Sequence, residues 1–228
     1  MQINVEYGPT YALAIVQLGQ NETIKAESGA LVSMDANVKM ETSASQGGGV
    51  KGFLKGLARK FLAGESFFQN TFTAMDGPGT VTFAPTLVGD IMHHSLTGGD
   101  MMITSSSYVA SSPSITVDTK WGGARTFFGG EGLFMMKASG TGEVICNAFG
   151  AIHPVQVAGK FIVDTGHIVA FESALTFKVK RVGGWFSTFF SGEGLVCEFT
   201  GNGTLWMQSR NPAEFGRLLG SMLPPRQG

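Results

Sequence analysis

A Gly-x-Gly mark recurs along this chain at Gly77-Pro78-Gly79, Gly140-Thr141-Gly142 and Gly201-Asn202-Gly203, 63 and then 61 positions apart. Each is preceded by a hydrophobic run and, before that, a Gly-Glu pair: Gly64-Glu65, Gly130-Glu131 and Gly192-Glu193. Ahead of each pair stands a third matching segment, Ser28 to Ser33, Ser105 to Ala110 and Thr165 to Ala170. Three marks in one order at a near-constant period constrain the fold strongly, because a repeating unit must bury its apolar face against its copies. The spacing predicts one domain, residues 1–228, of three units at about 1–76, 77–139 and 140–200, with a tail at 201–228.

Within the units the pattern is that of strands. Thr80 to Ala84, Met101 to Thr104, Ser114 to Asp118, Phe161 to Asp164, Leu175 to Lys180 and Leu195 to Thr200 alternate or carry β-branched and aromatic runs between Gly, Pro, Asn and Ser. The 33 glycines fit a chain with many tight turns and bulges. An all-β protein follows, packed as an antiparallel sandwich or barrel with pseudo-threefold symmetry, which leaves few free sheet edges.

Two segments depart from that pattern. In the first unit an insertion opens with Gln46-Gly47-Gly48-Gly49 and continues from Val50 to Leu62. Val50, Phe53, Leu54, Leu57, Phe61 and Leu62 recur there at helical spacing, with Lys51, Lys55, Arg59 and Lys60 between them, which predicts a short basic amphipathic helix. Asn211-Pro212-Ala213-Glu214 supplies an N-cap, a proline at the first helical position and an early acid, so a C-terminal helix starts there and Pro224-Pro225 ends it, with the tail expected to pack on the body.

Formal net charge is −1, with 16 basic against 17 acidic residues, so no global positive field holds a phosphate backbone and nucleic acid is not an expected partner. Lys178, Lys180 and Arg181 form the best basic cluster left for one, and a solvated strand end is the simpler use. Met1 to Tyr11 lacks a basic and then apolar leader, and no apolar run reaches the length of a membrane span, so the expected location is cytoplasmic, at most peripheral at the inner face of the membrane. Cys146 and Cys197 sit in apolar alternating runs far apart in sequence and read as two buried thiols, with a disulfide as the alternative.

Catalytic chemistry has few groups to use. His93 and His94 are adjacent and face opposite ways in a strand, and no His-x-His brings ligands together. A metal or small-ligand site built from His153, His167 and Glu172 is the alternative reading. There is no nucleophile elbow, and Gly47-Gly48-Gly49 lacks the spacing and the Lys-Ser/Thr of a phosphate loop. No enzyme activity, cofactor or metal is therefore expected.

Glu65, Glu131 and Glu193 occur once per unit. A carboxylate accepting turn N–H groups is needed in every copy, whereas a site where the three meet near the axis is the functional reading. Before each glutamate stands an aromatic segment: Phe53 to Phe61, then Trp121 with Phe127 and Phe128, then Trp185, Phe186, Phe189 and Phe190. Either these rings fold inward as core, or they form a patch on one side of the body for a partner, another subunit or a membrane. The bases at Lys51, Lys55, Arg59 and Lys60 favour anionic lipid among membranes.

Glu27-Ser-Gly-Ala-Leu-Val-Ser-Met-Asp35, Gly129-Gly-Glu-Gly-Leu-Phe134 with Gly140-Thr-Gly142, and Phe190-Ser-Gly-Glu-Gly-Leu195 with Gly201-Asn-Gly203 resemble the altered-inheritance-of-mitochondria protein twenty-four family and its uncharacterised bacterial members. The resemblance runs essentially the whole chain. It implies a fold similar to the trp RNA-binding attenuation protein, with three tandem β-sandwich units of the double-stranded β-helix type and a capacity to self-associate. Mitochondrial members are tied to inner-membrane organisation, and the resemblance brings no catalytic residues. The function expected is a non-enzymatic β scaffold, a homo-oligomer, that presents aromatic loops and the basic helix to a protein partner or an anionic membrane surface.

Overall fold

A computed structural model describes residues 1–44, 68–119, 127–128, 133–181 and 195–224. The strands in chain order are β1 (Gln2–Glu6), β2 (Leu13–Leu18), β3 (Thr23–Glu27), β4 (Leu31–Met34), β5 (Val38–Ala44), β6 (Phe68–Ala74), β7 (Gly79–Phe83) and β8 (Ile91–Thr104). They continue as β9 (Tyr108–Ser111), β10 (Thr116–Asp118), β11 (Phe127–Phe128), β12 (Leu133–Asn147), β13 (Ile152–Asp164), β14 (Ile168–Glu172), β15 (Thr176–Arg181) and β16 (Leu195–Gln208). A helix, α1 (Pro212–Met222), closes the chain. The expected all-β class is what the chain adopts, with antiparallel pairing in every ladder between named strands.

Alternation decides which residues are inside. In β2, Ala14, Val16 and Leu18 are buried, and in β7 Val81 and Phe83, so these two paired strands turn one face to a core that also takes Ile24 and Phe72. The Phe72 and Phe83 rings meet edge to face with centroids 5.3 Å apart. A second core gathers Tyr108, Met136 and Trp206, and a third gathers Phe171, Phe199 and Leu205. Each fully buried aromatic contributes about 2–3 kcal/mol through the apolar surface it removes from water. Cys146 and Cys197 are both buried and unbonded to each other, and burial pushes each thiol up to about 12, so both behave as small apolar side chains.

Two sheets carry these faces. The smaller is ordered β1-β2-β7-β4, and the 12-stranded one β13-β16-β14-β8-β12-β9-β3-β6-β5, with β10 and β11 pairing β12 and β15 pairing β16. The Gly-x-Gly marks at Gly140 and Gly201 fall inside the continuous strands β12 and β16, so the unit boundaries drawn there cross strands. Gly140 has φ of 127° and Gly201 of 131°, and a Cβ on either would lie 2.6 Å from the Ser114 carbonyl oxygen or 2.7 Å from that of Ala174. Only glycine tolerates both the left-handed backbone and that approach.

The turn ahead of β5, β10 and β15 has the same construction each time. The amides of Val38, Ile115 and Leu175 donate back to the carbonyls of Asp35, Ser112 and Glu172, each at 3.0 Å. All three apolar side chains are buried. A bulge also recurs: Val32 is skipped where β4 pairs β7, Val109 where β9 pairs β12, and Val169 where β14 pairs β16.

The basic helix expected over 50–62 lies outside the described residues. The C-terminal helix forms where expected, with Asn211 Oδ1 accepting from the Ala213 and Glu214 amides at 2.9 and 3.3 Å. None of its residues is buried, and it meets the body through a tilted ring contact of Phe215 on Phe149, 5.2 Å between centroids, and through its cap, Asn211 Nδ2 donating to Asp164 Oδ1 at 3.4 Å.

Candidate functional site

The aromatic and basic segments singled out in the sequence connect paired strands. β5 and β6 pair up to Ala44 opposite Phe68, β15 and β16 up to Arg181 opposite Leu195, and β12 pairs both β10 and β11. Lys51, Phe53, Leu54, Lys55, Leu57, Arg59, Lys60, Phe61, Trp185, Phe186, Phe189 and Phe190 lie in the intervening stretches, outside the described residues. So do Glu65, Glu131 and Glu193. Phe127 and Phe128 form β11, opposite Phe134 and Leu133.

Among the described residues, three side-chain acceptors at equivalent places hold backbone amides of β7, β12 and β16. Asp35 Oδ2 accepts from the Thr80 amide at 2.8 Å, Ser112 Oγ from Glu143 at 2.9 Å and Glu172 Oε2 from Thr204 at 2.7 Å. Each donor directly follows the second glycine of a Gly-x-Gly mark. The available signal was a polar residue three places before a buried apolar one, too common a pattern to single out alone.

A polar strip runs over β8 and β12. His93 Nε2 and Glu143 Oε2 are 2.5 Å apart, and Ser95 Oγ donates to that same oxygen at 2.6 Å. Burial pushes the Glu143 carboxyl up, but the hydrogen bonds from Ser95 and His93 outweigh it, and its pKa lies below the ordinary value. The serine and the imidazole both hydrogen-bond the one carboxylate oxygen, and no contact joins Ser95 to His93 as a serine–imidazole relay needs. His94 points the other way, as alternation requires, with its ring 5.1 Å from that of Trp206. Burial holds its pKa below the ordinary value, partly offset by the Glu172 carboxylate.

The His153, His167 and Glu172 set is not gathered. His153 is exposed on β13, His167 Nδ1 meets the Gln208 carbonyl at 2.7 Å, and Glu172 is engaged with Thr204. Among the described residues no three His, Cys, Asp or Glu side chains could hold one metal ion. In the Lys178, Lys180, Arg181 cluster, Lys180 Nζ pairs with Glu198 at 2.6 Å.

Exposed apolar side chains among the described residues include Tyr7 and Tyr11 ahead of β2, Val32 and Met34 on β4, Ile162 on β13, and Phe215, Leu218, Leu219 and Met222 on α1. Among the described residues no helix is long and apolar enough to cross a membrane.

Residues 3–210 match the family described as Mitochondrial biogenesis AIM24. The chain is 26% identical over 228 residues to the uncharacterized protein M6_Spy0233 of Streptococcus pyogenes serotype M6, covering 98% of this chain and 92% of that one. The X-ray crystal structure of protein SPYM3_0169 from Streptococcus pyogenes shares the fold, with a TM-score of 0.80 at 24% identity over 97% of this chain and 99% of that one.

Proposed function

This chain belongs to the Mitochondrial biogenesis AIM24 family, and from that premise we propose that it is a non-enzymatic, self-associating β scaffold that presents its inter-strand segments to a protein partner or an anionic membrane surface. The observation that carries this reading is the place of those segments: each aromatic, glycine-flanked stretch joins strands of an antiparallel ladder that is itself braced by a buried core. Connections between paired strands run over a protein's surface, where side chains are available to a partner. The bases Lys51, Lys55, Arg59 and Lys60 add about 1 kcal/mol each near an anionic leaflet.

In this reading the body is three tandem units with the attenuation-protein-like fold, arranged about a pseudo-threefold axis that is only approximate, since among the described residues the joint between the third unit and the first is open. Support comes from the three identical turns at Asp35, Ser112 and Glu172, the three amide locks on them, and the three bulges at Val32, Val109 and Val169.

The test is flotation with neutral and with anionic liposomes, for the wild type and for a Phe53→Ser, Leu57→Ser, Phe61→Ser variant checked by circular dichroism. The reading expects wild type to float with anionic vesicles alone and the folded variant to stay behind. If neither protein floats, the membrane leaves the proposal and the aromatic segments are left to a protein contact; if both float, the membrane contact lies outside residues 53–61.

A further inference from the structure

The three units are joined through sheet edges, and one such joint is left unmade. The outer edge of β9 pairs with β3, Ala110 opposite Ala26 and Ser111 opposite Lys25. The outer edge of β14 pairs with β8 in the corresponding register, Ala170 opposite Ile103 and Phe171 opposite Met102. By the same bulge and turn positions, β4 is the counterpart of β9 and β14, and β13 is the counterpart of β3 and β8. Yet β4 pairs only with β7, β13 pairs only with β16, and among the described residues no strand takes either outer edge.

Exposure tells the same story. Val109 and Val169, buried at the made joints, are 1% and 0% exposed, whereas their counterpart Val32 is 57% exposed. Met102 is 2% exposed and its counterpart Ile162 61%. Free edges are ordinarily blunted by charge or proline, as β5 is by Lys39 and Glu41. The joint-forming stretches of β4 and β13, Leu31–Met34 and Phe161–Val163, carry neither. These are two different edges of one chain, each shaped to receive the other and neither receiving it within the chain.

We propose that the outer edge of β4 in one copy of this chain pairs head to tail with the outer edge of β13 in a second copy. The register repeats that of the internal joints, Ser33 opposite Val163 and Met34 opposite Ile162, and burial of Val32, Met34 and Ile162 drives it. Because the contact joins unlike surfaces, each added copy leaves one edge of each kind, so the assembly either closes into a ring or extends. This inference rests on the self-association in the proposed function and names the surface that makes it.

The experiment is sedimentation velocity from about 1 to about 200 µM, a range that brackets a weak edge contact. It uses the full chain, a Val32→Lys, Met34→Lys variant and an Ile162→Lys variant, each checked for fold by circular dichroism. Wild type is expected to be oligomeric and each variant monomeric. Each variant retains one good edge, so mixing the two is expected to restore a dimer of one copy of each and nothing larger. A monomeric wild type overturns both this proposal and the self-association reading. Variants that stay oligomeric, or a mixture that stays monomeric, overturn the edge pairing and leave self-association to another surface.

Discussion

The Thr204 amide donates to the Glu172 carboxylate over 2.7 Å and thereby ties the end of β14 to the bend of β16. A charge-assisted bond of this kind, partly shielded from water, stabilises by about 1–2 kcal/mol. Glu172→Ala is expected to lose that amount. Glu172→Gln, which keeps an acceptor oxygen, loses less. Asp35→Ala breaks the equivalent bond to Thr80 at an exposed site and is expected to cost less than Glu172→Ala. Urea unfolding midpoints of the three variants check the order.

Gly140 and Gly201 combine a left-handed backbone with a neighbouring carbonyl that a Cβ would strike. Gly159 has φ of 97° with nothing within 4 Å of a Cβ. Gly159→Ala is therefore expected to cost about 1 kcal/mol from backbone strain alone. Gly140→Ala and Gly201→Ala add the clash and reach about 3 kcal/mol. Equal thermal shifts for all three variants would contradict the close approach.

Much of the fold was legible because its signals were local. Alternation and β-branched or aromatic runs marked all or part of β7, β8, β10, β13, β15 and β16, Asn211-Pro212 marked the C-terminal helix, and apolar surroundings marked both buried cysteines. The glycine marks were visible as well, but their meaning was not. Gly140 and Gly201 look like turns between units, and they are bends inside long strands because the packing of Ser114 and Ala174 demands glycine there. The acceptors Asp35, Ser112 and Glu172 were missed for a related reason. Their partners lie 45, 31 and 32 positions away, and the hydrogen bond exists only once the strands pair. Glu65, Glu131 and Glu193, the carboxylates that the repeat singles out, lie outside the described residues.

Burial raises the Glu27 carboxyl from 4.5 to about 7. Folding thus favours its protonated form, so the stability this group supplies is complete below the unfolded value and is lost as pH rises through about 7. Glu27→Gln holds the site neutral and is expected to gain on wild type by roughly 1–2 kcal/mol between about pH 5 and pH 8. His94 acts in the other direction. Its pKa is lowered by burial, so its contribution is present above its unfolded value and is lost as pH falls through the lowered one. His94→Gln is expected to flatten the acid side of the stability profile, and chemical denaturation across this pH range separates the two effects.

Asn211 holds two structures at once. Its Oδ1 caps α1, and its Nδ2 donates to Asp164 Oδ1 at 3.4 Å, beside the turn that contains Gly166. A Cβ at Gly166 would stand 2.2 Å from that Nδ2, and the Gly166 backbone is not left-handed, so the obstacle to a larger residue is the asparagine itself. Gly166→Ala is expected to displace the cap and cost about 2 kcal/mol, the sum of crowding and lost capping. Asn211→Ala removes the cap alone and costs about 1 kcal/mol. Since the second change also removes what the first collides with, the double variant is expected to fall short of the two costs added together by about 1 kcal/mol. A double-mutant cycle read by urea unfolding, with amide exchange following the first turn of α1, decides it: strict additivity would mean that Gly166 is required by something other than Asn211.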